Sequence, residues 1–216
     1  MQDMTNVVLV DLYGTILEQG LDESPVKMVK RRLDVQCAFQ QYIERFQDTF
    51  MCRNYDSLRE AFRAACEEFD VDVSDQELDR LVGDWNKNAL LTKEYSDVQS
   101  GLNEIPEEYA AVLVANVDEF TFEQIDAKFD LRERFDDTYL SFETGHLKNS
   151  EEALDQIVAE HNSHVRSSWI IGDSMNSDIH PGETYGFKTI LVDRRNNRDY
   201  EPKRSSFHKA VLHIKE

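Results

Sequence analysis

Residues 7–15 of the chain read Val7-Val8-Leu9-Val10-Asp11-Leu12-Tyr13-Gly14-Thr15. Four consecutive apolar residues, three of them β-branched, are typical of a strand that is buried on both faces, as in a parallel sheet. The turn pair Gly14-Thr15 predicts a loop soon after the strand. Asp11 therefore stands at the carboxyl end of a buried strand, which is where α/β proteins bind their ligands.

Further strands are predicted downstream, and helical segments lie between them. The strand segments are Ala110–Val114, Asp137–Leu140, Trp169–Ile171 and Lys188–Val192. A helix is predicted around Phe122–Lys128, and Asn149 and Glu152 are predicted to cap another that runs through Ile157. Strands that alternate with helices indicate a parallel sheet with helices on both faces. We therefore predict an α/β fold, a Rossmann-like three-layer sandwich.

An insertion with a different pattern interrupts this alternation. From about Ser24 to Asn88 the apolar residues recur at helical spacing, and Ser74 with Glu77 forms a capping box at the start of one helix. The segment has almost no glycine and no strand-like alternation. We therefore predict an all-helical cap in residues 19–91, inserted into an α/β core formed by residues 1–18 and 92–216.

The composition argues against several classes of partner. The formal charge is −19, with 43 acidic against 24 basic residues, so we expect no binding to nucleic acid or to an anionic membrane. An acidic surface of this kind serves solubility or is an adaptation to a salt-rich cytoplasm. The sequence contains no run of 18 or more apolar residues, which predicts that no segment spans a membrane.

The cysteines and the amino terminus predict a cytoplasmic location. Cys37, Cys52 and Cys66 are odd in number and form no CxxC pair, which favours reduced thiols. The residues Met1–Thr5 have neither the basic nor the apolar region of a signal peptide.

Polar residues follow three of the predicted strands. Asp11 ends the first, Asn116 follows the second, and Asp173 follows a later one, with Asp178 a short loop beyond. Lys148 lies in a loop before a helix. Because the carboxyl ends of parallel strands meet at one edge of the sheet, these side chains are expected to converge. Carboxylates gathered around one ammonium group suit Mg²⁺ and a bound phosphate.

These motifs resemble those of the haloacid dehalogenase superfamily. Asp11–Thr15 is similar to the family's motif I, Lys148 to its motif III, and Gly172–Asp178 to its motif IV. The segments Phe129–Phe142 and Ile179–Phe187 also resemble the family. The resemblance runs from about residue 5 to 195, and the insertion lies where the family has its C1 helical cap.

The resemblance implies a Mg²⁺-dependent phosphatase that acts on a small phosphorylated metabolite. Asp11 would attack the substrate and form an aspartyl ester, which water then hydrolyses. Asp11, the Tyr13 carbonyl oxygen, Asp173 and Asp178 would hold Mg²⁺, with Asp178 a direct or an indirect partner. Lys148 would bind both the nucleophile and the transferring group.

Two departures from the family pattern bear on activity. Phosphatases of the family have a second Asp at the position of Tyr13, where it serves as general acid and base. Tyr13 or water is then the candidate for this catalytic role, although a phenol, with an ordinary pKa near 10, is a poor substitute at neutral pH. The Ser or Thr of motif II is replaced by Ala115, which removes one hydrogen bond to phosphate, while the substrate-binding Asn116 remains. The proline that usually follows the motif III lysine is Asn149.

These departures leave alternative functions open. One is a catalytically impaired protein that binds a phosphorylated ligand or a protein partner on the same fold. Another is a 2-haloacid dehalogenase, because motif I of the dehalogenase branch of the family also has Tyr two residues after the Asp. Arg31 or Arg32 would then be the arginine near the halide. The retained Asp173 and Asp178 favour a Mg²⁺-phosphate site instead. A phosphonatase would need a lysine from the cap, for which Lys27 and Lys30 are the candidates.

Overall fold

The computed structural model describes residues 6–216, so the prediction made from Met1–Thr5 lies outside the described residues. Eight strands and eleven helices alternate along this part of the chain. In chain order they are β1 (Asn6–Asp11), β2 (Leu17–Glu18), α1 (Pro25–Arg32), α2 (Phe39–Met51), α3 (Leu58–Glu68), α4 (Asp75–Leu91), β3 (Lys93–Glu94), α5 (Val98–Asn103), β4 (Tyr109–Ala115), α6 (Glu119–Phe129), α7 (Leu131–Arg134), β5 (Asp137–Leu140), α8 (Ser141–Thr144), α9 (Glu151–Glu160), β6 (Trp169–Gly172), α10 (His180–Tyr185), β7 (Lys188–Val192), β8 (Lys203–Arg204) and α11 (Phe207–Ile214).

Six of the strands form one parallel sheet in the order β5-β4-β1-β6-β7-β8. The central strand β1 pairs with β4 on one side and with β6 on the other. Asp11 is in register with Val114, and Val10 is in register with Ile171. The carboxyl ends of β1, β4 and β6 are therefore side by side, which confirms the predicted parallel α/β fold.

Alternate side chains of β1 are buried on opposite faces of the sheet. Val8 and Val10 pack into one apolar cluster, which includes side chains of α6 and α11. Val7 and Leu9 pack into another, together with Leu154 of α9. Because successive side chains of a strand point to opposite faces, a continuous apolar run such as residues 7–10 requires helices on both sides. The predicted three layers follow from this arrangement.

Helices α1 to α4 surround an apolar cluster of their own. Its centre is aromatic, and the rings of Phe50, Phe62 and Trp85 lie 4.7–5.5 Å apart in tilted or edge-on contacts. Ser74 caps α4 by accepting a hydrogen bond from the Glu77 backbone N–H. Strands β2 and β3 pair as a short antiparallel ribbon at the two ends of this helical segment. The domain boundaries at residues 18/19 and 91/92 stay a prediction.

Two local expectations differ from the structure. Helix α9 is capped by Ser150, whose hydroxyl accepts the Ala153 N–H, and not by Asn149. The charged tail after Arg194, for which no element was predicted, contains β8 and the amphipathic helix α11, which is capped by Ser206. Between residues 6 and 216 no helix is both long enough and apolar enough to cross a membrane.

Candidate active site

Three carboxylates come together at the carboxyl edge of the sheet. Asp11 is the last residue of β1, Asp173 follows β6, and Asp178 lies in a single π-helical turn formed by Met175–Ile179. One oxygen from each carboxylate lies within 4.8 Å of the other two. The polar residues after the predicted strands predict this convergence, and the parallel register of β1 and β6 brings it about.

Two glycines allow the carboxylates to approach the backbone so closely. Gly14 has a φ of +87°, and a Cβ there would lie 2.0 Å from Asp173 Oδ2. A Cβ on Gly172 would lie 2.3 Å from Asp178 Cγ. Since no side chain fits at either position, both glycines are required by the packing of the carboxylates.

Lys148 joins two of the three carboxylates. Its ammonium group donates to Asp11 Oδ1 and lies 2.6 Å from Asp178 Oδ1, and its side chain is only 7% exposed. The two acids accept further hydrogen bonds: Asp11 Oδ2 from the Thr15 hydroxyl at 3.0 Å, and Asp178 Oδ2 from the Ser174 N–H at 2.9 Å. Asp173 accepts no such hydrogen bond among the described residues, so it is the carboxylate of the three whose oxygens are left open to a ligand.

Burial and mutual repulsion make the charged state of this cluster costly. Burial, with a further contribution from the neighbouring Asp178 carboxylate, raises the pKa of Asp11 to about 6 even though Lys148 opposes the shift. Burial, followed by the charges of Asp11 and Asp178, raises the pKa of Asp173 to about 7 even though the charges of Lys148 and Arg198 oppose the shift. The three acids thus outnumber the cations near them. A divalent cation fits this site, because its charge offsets the repulsion and carboxylate oxygens are the ligands that Mg²⁺ prefers.

The raised pKa values predict that stability without Mg²⁺ falls as the pH rises. Asp11 and Asp173 hold their protons more tightly in the folded chain than in the unfolded chain, where such groups titrate near pH 3.9. Their contribution to stability is therefore complete below about pH 4 and is lost as the pH rises through 6 and 7. We expect the Mg²⁺-free melting temperature to fall by about 5–10 °C between about pH 5 and pH 8.

Thermal unfolding monitored by circular dichroism, with and without Mg²⁺, checks this expectation. Mg²⁺ should raise the melting temperature more at pH 8 than at pH 5, and Asp173→Asn should flatten the Mg²⁺-free profile. A wild-type profile that is equally steep in Asp173→Asn would show that other groups cause the pH dependence.

Asn116 connects the site to the helical segment. Its Oδ1 accepts the backbone N–H of Lys148 at 2.8 Å, and its Nδ2 donates to Gln47 Oε1 of α2 at 3.3 Å. Ala115, which ends β4 one residue earlier, is buried and offers only a methyl group. The structure thus places Asn116 where it fixes the loop that carries Lys148, while the substrate-binding roles of Ala115 and Asn116 stay predictions.

Tyr13 faces a cavity between the sheet edge and the helical segment. Its hydroxyl is buried and has no hydrogen-bond partner among the described residues. Burial, together with the charge of nearby Asp118, raises the pKa of Tyr13 to about 12. The phenol is therefore neutral at physiological pH and can donate a hydrogen bond but cannot act as a base. Its carbonyl oxygen stays a predicted metal ligand.

The cavity is small, with a volume of about 180 Å³. Trp85 of α4 closes one side, and its indole N–H lies 2.9 Å from both Asp118 Oδ2 and Thr121 Oγ1 at the start of α6. Trp85 is buried in the aromatic cluster, and it also lines the cavity and ties α4 to the sheet side of the molecule.

The cap residues nominated for other chemistries lie elsewhere. Arg31 is exposed and pairs with Glu23, and Arg32 pairs with Glu77 and Asp84. Neither lines the cavity, and no other arginine of residues 6–216 does. Lys30 donates to the Val35 carbonyl oxygen, and Lys27 lines a separate cleft.

Two residues that hold the site in place were not predicted from the sequence. The first, Thr15, is fully buried and donates to Asp11. The other is Arg194, whose guanidinium group donates to the Gly14 and Thr15 carbonyl oxygens, pairs with Asp97 at 2.8 Å and stacks on the Tyr95 ring at 3.5 Å. A hydroxyl four residues after Asp11 was a readable signal for Thr15. Nothing in the sequence connects Arg194 with Gly14, 180 residues away.

Comparison with known proteins supports the predicted family. A family model described as HAD-hydrolase-like, where HAD stands for haloacid dehalogenase, matches residues 147–212. These residues include Lys148, Asp173 and Asp178. A search of curated proteins found no match. Solved structures of HAD-family hydrolases, in contrast, match over nearly the whole chain.

Three of these structures illustrate the range of the fold. YfnB of Bacillus subtilis, a HAD-hydrolase by name and bound to magnesium, is 15% identical with a TM-score of 0.63, and the match covers 99% of this chain and 100% of that one. A HAD phosphatase from Thermococcus onnurineus is 18% identical with a TM-score of 0.61, covering 97% of each chain. The L-2-haloacid dehalogenase of Xanthobacter autotrophicus is 12% identical with a TM-score of 0.64, covering 98% of this chain and 99% of that one.

At these identities the likeness to solved structures establishes the fold, and the family model adds the motifs of the carboxyl-terminal third. The predicted resemblance is thereby confirmed: the chain has the fold of the haloacid dehalogenase superfamily, and its residues 147–212 match the HAD-like hydrolases.

Proposed function

We propose that the chain is a Mg²⁺-dependent phosphatase that hydrolyses a small phosphorylated metabolite through an aspartyl ester on Asp11. The observation that carries this proposal is the buried cluster in which Lys148 contacts Asp11 and Asp178 while Asp173 stays open. The resemblance implies that 2-haloacid dehalogenases displace halide without a metal and lack the acid at the position of Asp173. A phosphatase that holds Mg²⁺ needs carboxylates beside its nucleophile.

Asp11 is suited to the role of nucleophile. Its Oδ1 is held by Lys148 and its Oδ2 by Thr15, so the carboxylate is fixed in one orientation at the edge of the cavity. The positive charge of Lys148 also offsets the charge of an incoming phosphate. Attack by Asp11 forms the aspartyl ester as the alkoxide leaves, and water then cleaves the acyl phosphate to release phosphate and restore the carboxylate.

Magnesium would be held by Asp11 and Asp173, with the Tyr13 carbonyl oxygen and Asp178 completing the proposed set. When bound, it would supply Lewis-acid stabilisation of the negative charge on the phosphate oxygens. YfnB, the structural relative described above, was solved bound to magnesium.

The small cavity points to a small substrate. Its volume of about 180 Å³ lies below the range of about 300–1,000 Å³ usual for drug-sized ligands. We therefore infer a leaving group of a few carbon atoms for the part of the substrate that lies under α4. The absence of arginine from the described lining counts against 2-haloacid dehalogenation.

The direct test is hydrolysis of a panel of small phosphate esters with and without Mg²⁺. Mg²⁺-dependent phosphate release supports the proposal. Failure to hydrolyse any ester, together with calorimetric binding of Mg²⁺ or phosphate, would favour the second candidate, a catalytically impaired binding protein. The neutral, buried Tyr13 phenol at the position of the family's acid is the observation that favours this candidate. Halide release from 2-chloropropionate would instead support dehalogenation.

Replacing Tyr13 by aspartate is expected to increase the phosphatase rate. The new carboxyl group would supply the general acid that the chain lacks, and such groups contribute about 10²–10⁴-fold in rate. Since the neighbouring Asp118 carboxylate repels a second charge there, we expect an effect at or below the lower end of that range, an increase in kcat of about 10- to 100-fold. Steady-state kinetics on the best ester of the panel measures it.

Tyr13→Phe is the matched control, because it removes only the hydroxyl. We expect it to change kcat by less than about tenfold, since the phenol donates a hydrogen bond but does not transfer a proton as a carboxyl group would. A loss in Tyr13→Phe of several hundredfold would show that the phenol itself is the catalytic acid, as the sequence analysis also allowed.

A further inference from the structure

Unpaired arginines are uncommon on this protein. Of its 14 arginines, 11 form an ion pair with an aspartate or a glutamate within residues 6–216. Three arginines have no such partner in this part of the chain, namely Arg166, Arg195 and Arg198. With 43 acidic residues present, partners are plentiful, so two unpaired arginines three residues apart are a local departure from the rest of the surface.

Arg195 and Arg198 both line an open cleft next to the carboxylate cluster. The cleft has a volume of about 560 Å³, and Gly14 and Asp173 form part of its wall. Lys27 of α1 also lines it and makes no ion pair among the described residues. The acidic residues Glu18, Asp22 and Asp193 line the cleft as well. Asp193 accepts the Arg198 backbone N–H, so the cationic groups of the cleft that lack an ion pair among the described residues are those of Lys27, Arg195 and Arg198.

The loop at residues 193–198 is held in a fixed conformation. Asp193 Oδ2 accepts the backbone N–H of Arg198 at 2.7 Å, and the Asn196 N–H donates to the Asp193 carbonyl oxygen at 3.0 Å. Arg194 anchors the loop to the turn after β1 through the Gly14 carbonyl oxygen and Asp97. None of these bonds uses the Arg195 or Arg198 side chain, so the two guanidinium groups that line the cleft are not needed to hold the loop.

The cleft and the smaller cavity are neighbours, and Gln19 and Ser24 line both. Asp11 lines the cavity, whereas Asp173, another proposed metal ligand, lines the cleft. Because the carboxylate cluster thus forms part of the cleft wall, a substrate whose phosphate occupies the cluster can extend into the cleft. An anionic substrate is repelled by a chain of net charge −19, and guanidinium groups near the site offset that repulsion locally.

We propose that Arg195 and Arg198, together with Lys27, bind a second anionic group of the substrate, a carboxylate or a phosphate, in the cleft beside Asp173. The planar fork of a guanidinium group matches the two oxygens of either anion. This inference rests on the proposed function and narrows it to phosphate esters that carry a further negative charge. The part of the substrate under α4 remains small.

The test measures binding of non-hydrolysable phosphonates in the presence of Mg²⁺ by titration calorimetry. Methylphosphonate carries a single anionic group, 3-phosphonopropionate adds a carboxylate, and methylenediphosphonate adds a second phosphonate. We expect one of the two doubly anionic probes to bind wild type at least about tenfold more tightly than methylphosphonate. The carboxylate and phosphonate arms identify which second anion the cleft prefers.

The double variant Arg195→Gln/Arg198→Gln should lose this advantage, with a fall in affinity of about 10- to 100-fold for the better probe and less than about threefold for methylphosphonate. Arg166→Gln, which removes the third unpaired arginine in the short turn before β6, is the matched control and should change neither affinity. Melting curves check that both variants fold.

Each other outcome overturns the inference. Equal affinity of wild type for singly and doubly anionic probes, an undiminished preference in the double variant, or an equal effect of Arg166→Gln would each show that the cleft does not recognise a second anion. The proposed phosphatase function is judged separately by ester hydrolysis. A protein that hydrolyses esters but binds all three phosphonates equally contradicts the inference alone, and one that prefers the doubly anionic probe without any turnover contradicts the function alone.

Discussion

Asp11→Asn is expected to abolish turnover of phosphate esters while leaving the fold intact. The amide cannot form the aspartyl ester, and loss of a nucleophile in enzymes that work through covalent intermediates costs about 10⁴-fold or more in kcat. The fold should survive because Asn keeps an oxygen that can accept the Thr15 hydrogen bond, and Lys148 keeps its contact with Asp178. Removing a buried carboxylate with a raised pKa also relieves repulsion within the cluster.

Single-turnover and steady-state hydrolysis of the best ester, with saturating Mg²⁺, measure the loss. Asp118→Asn is the matched control, because it removes another buried carboxylate that lines the same cavity, and asparagine still caps α6. We expect Asp118→Asn to stay within about tenfold of wild type. Comparable losses in both variants would indicate that the charge of the cavity matters and that Asp11 has no special role as nucleophile.

Lys148→Met is expected to destabilise the Mg²⁺-free protein strongly at neutral pH. The Lys148 ammonium is the one cation in contact with Asp11 and Asp178 among the described residues, and its side chain is nearly inaccessible. Removing one partner of a buried ion pair leaves uncompensated charge and typically costs about 3–5 kcal/mol. Methionine fills a similar volume, so the loss arises chiefly from charge and not from a cavity.

The size of the loss should depend on pH and on Mg²⁺. Below about pH 5 the Asp11 and Asp173 carboxyl groups are protonated and need no counter-charge, so the free energy of unfolding should approach that of wild type. At about pH 7.5, Mg²⁺ should restore part of the lost stability by replacing the missing positive charge. Urea unfolding at the two pH values, with and without Mg²⁺, measures these differences.

Lys215→Met is the matched control for the loss of a lysine. Lys215 lies 2.5 Å from Glu104, but both side chains are substantially exposed, and such surface pairs contribute about 0–1 kcal/mol. Destabilisation of equal size in the two lysine variants would contradict the view that the Lys148 charge balances a buried cluster. The same outcome would weaken the inference that the site is built for a cation.

The main strands, the inserted helical segment and their order could be predicted from the sequence alone, whereas β8 and α11 in the tail were not predicted. The apolar run at residues 7–10 predicts a strand covered on both faces, and the structure buries its side chains in two separate clusters. Ser74 with Glu77 predicts the start of α4. These predictions succeed because strand burial and helix capping depend on residues within a short window, where the periodicity can be read directly.

Part of the site could be predicted in the same way. Asp11, Asp173 and Asp178 each follow a predicted strand, and parallel strands bring their carboxyl ends to one edge, so the convergence of the three follows from topology. Their proposed roles in catalysis and in metal binding come from the family resemblance and stay predictions. No local pattern indicates the burial that raises the pKa values of Asp11 and Asp173, because that burial depends on residues distant along the chain.

The remaining features of the site depend on tertiary packing. Arg194 anchors the turn at Gly14, although 180 residues separate the two. Trp85 donates a hydrogen bond to Asp118 across the cavity. Likewise, whether an arginine forms an ion pair depends on which acids lie next to it in the folded chain. The sequence therefore does not predict that Arg195 and Arg198 lack an acidic partner among the described residues. Contacts of this kind depend on how the helices pack against the sheet, and no periodicity within a short window encodes that packing.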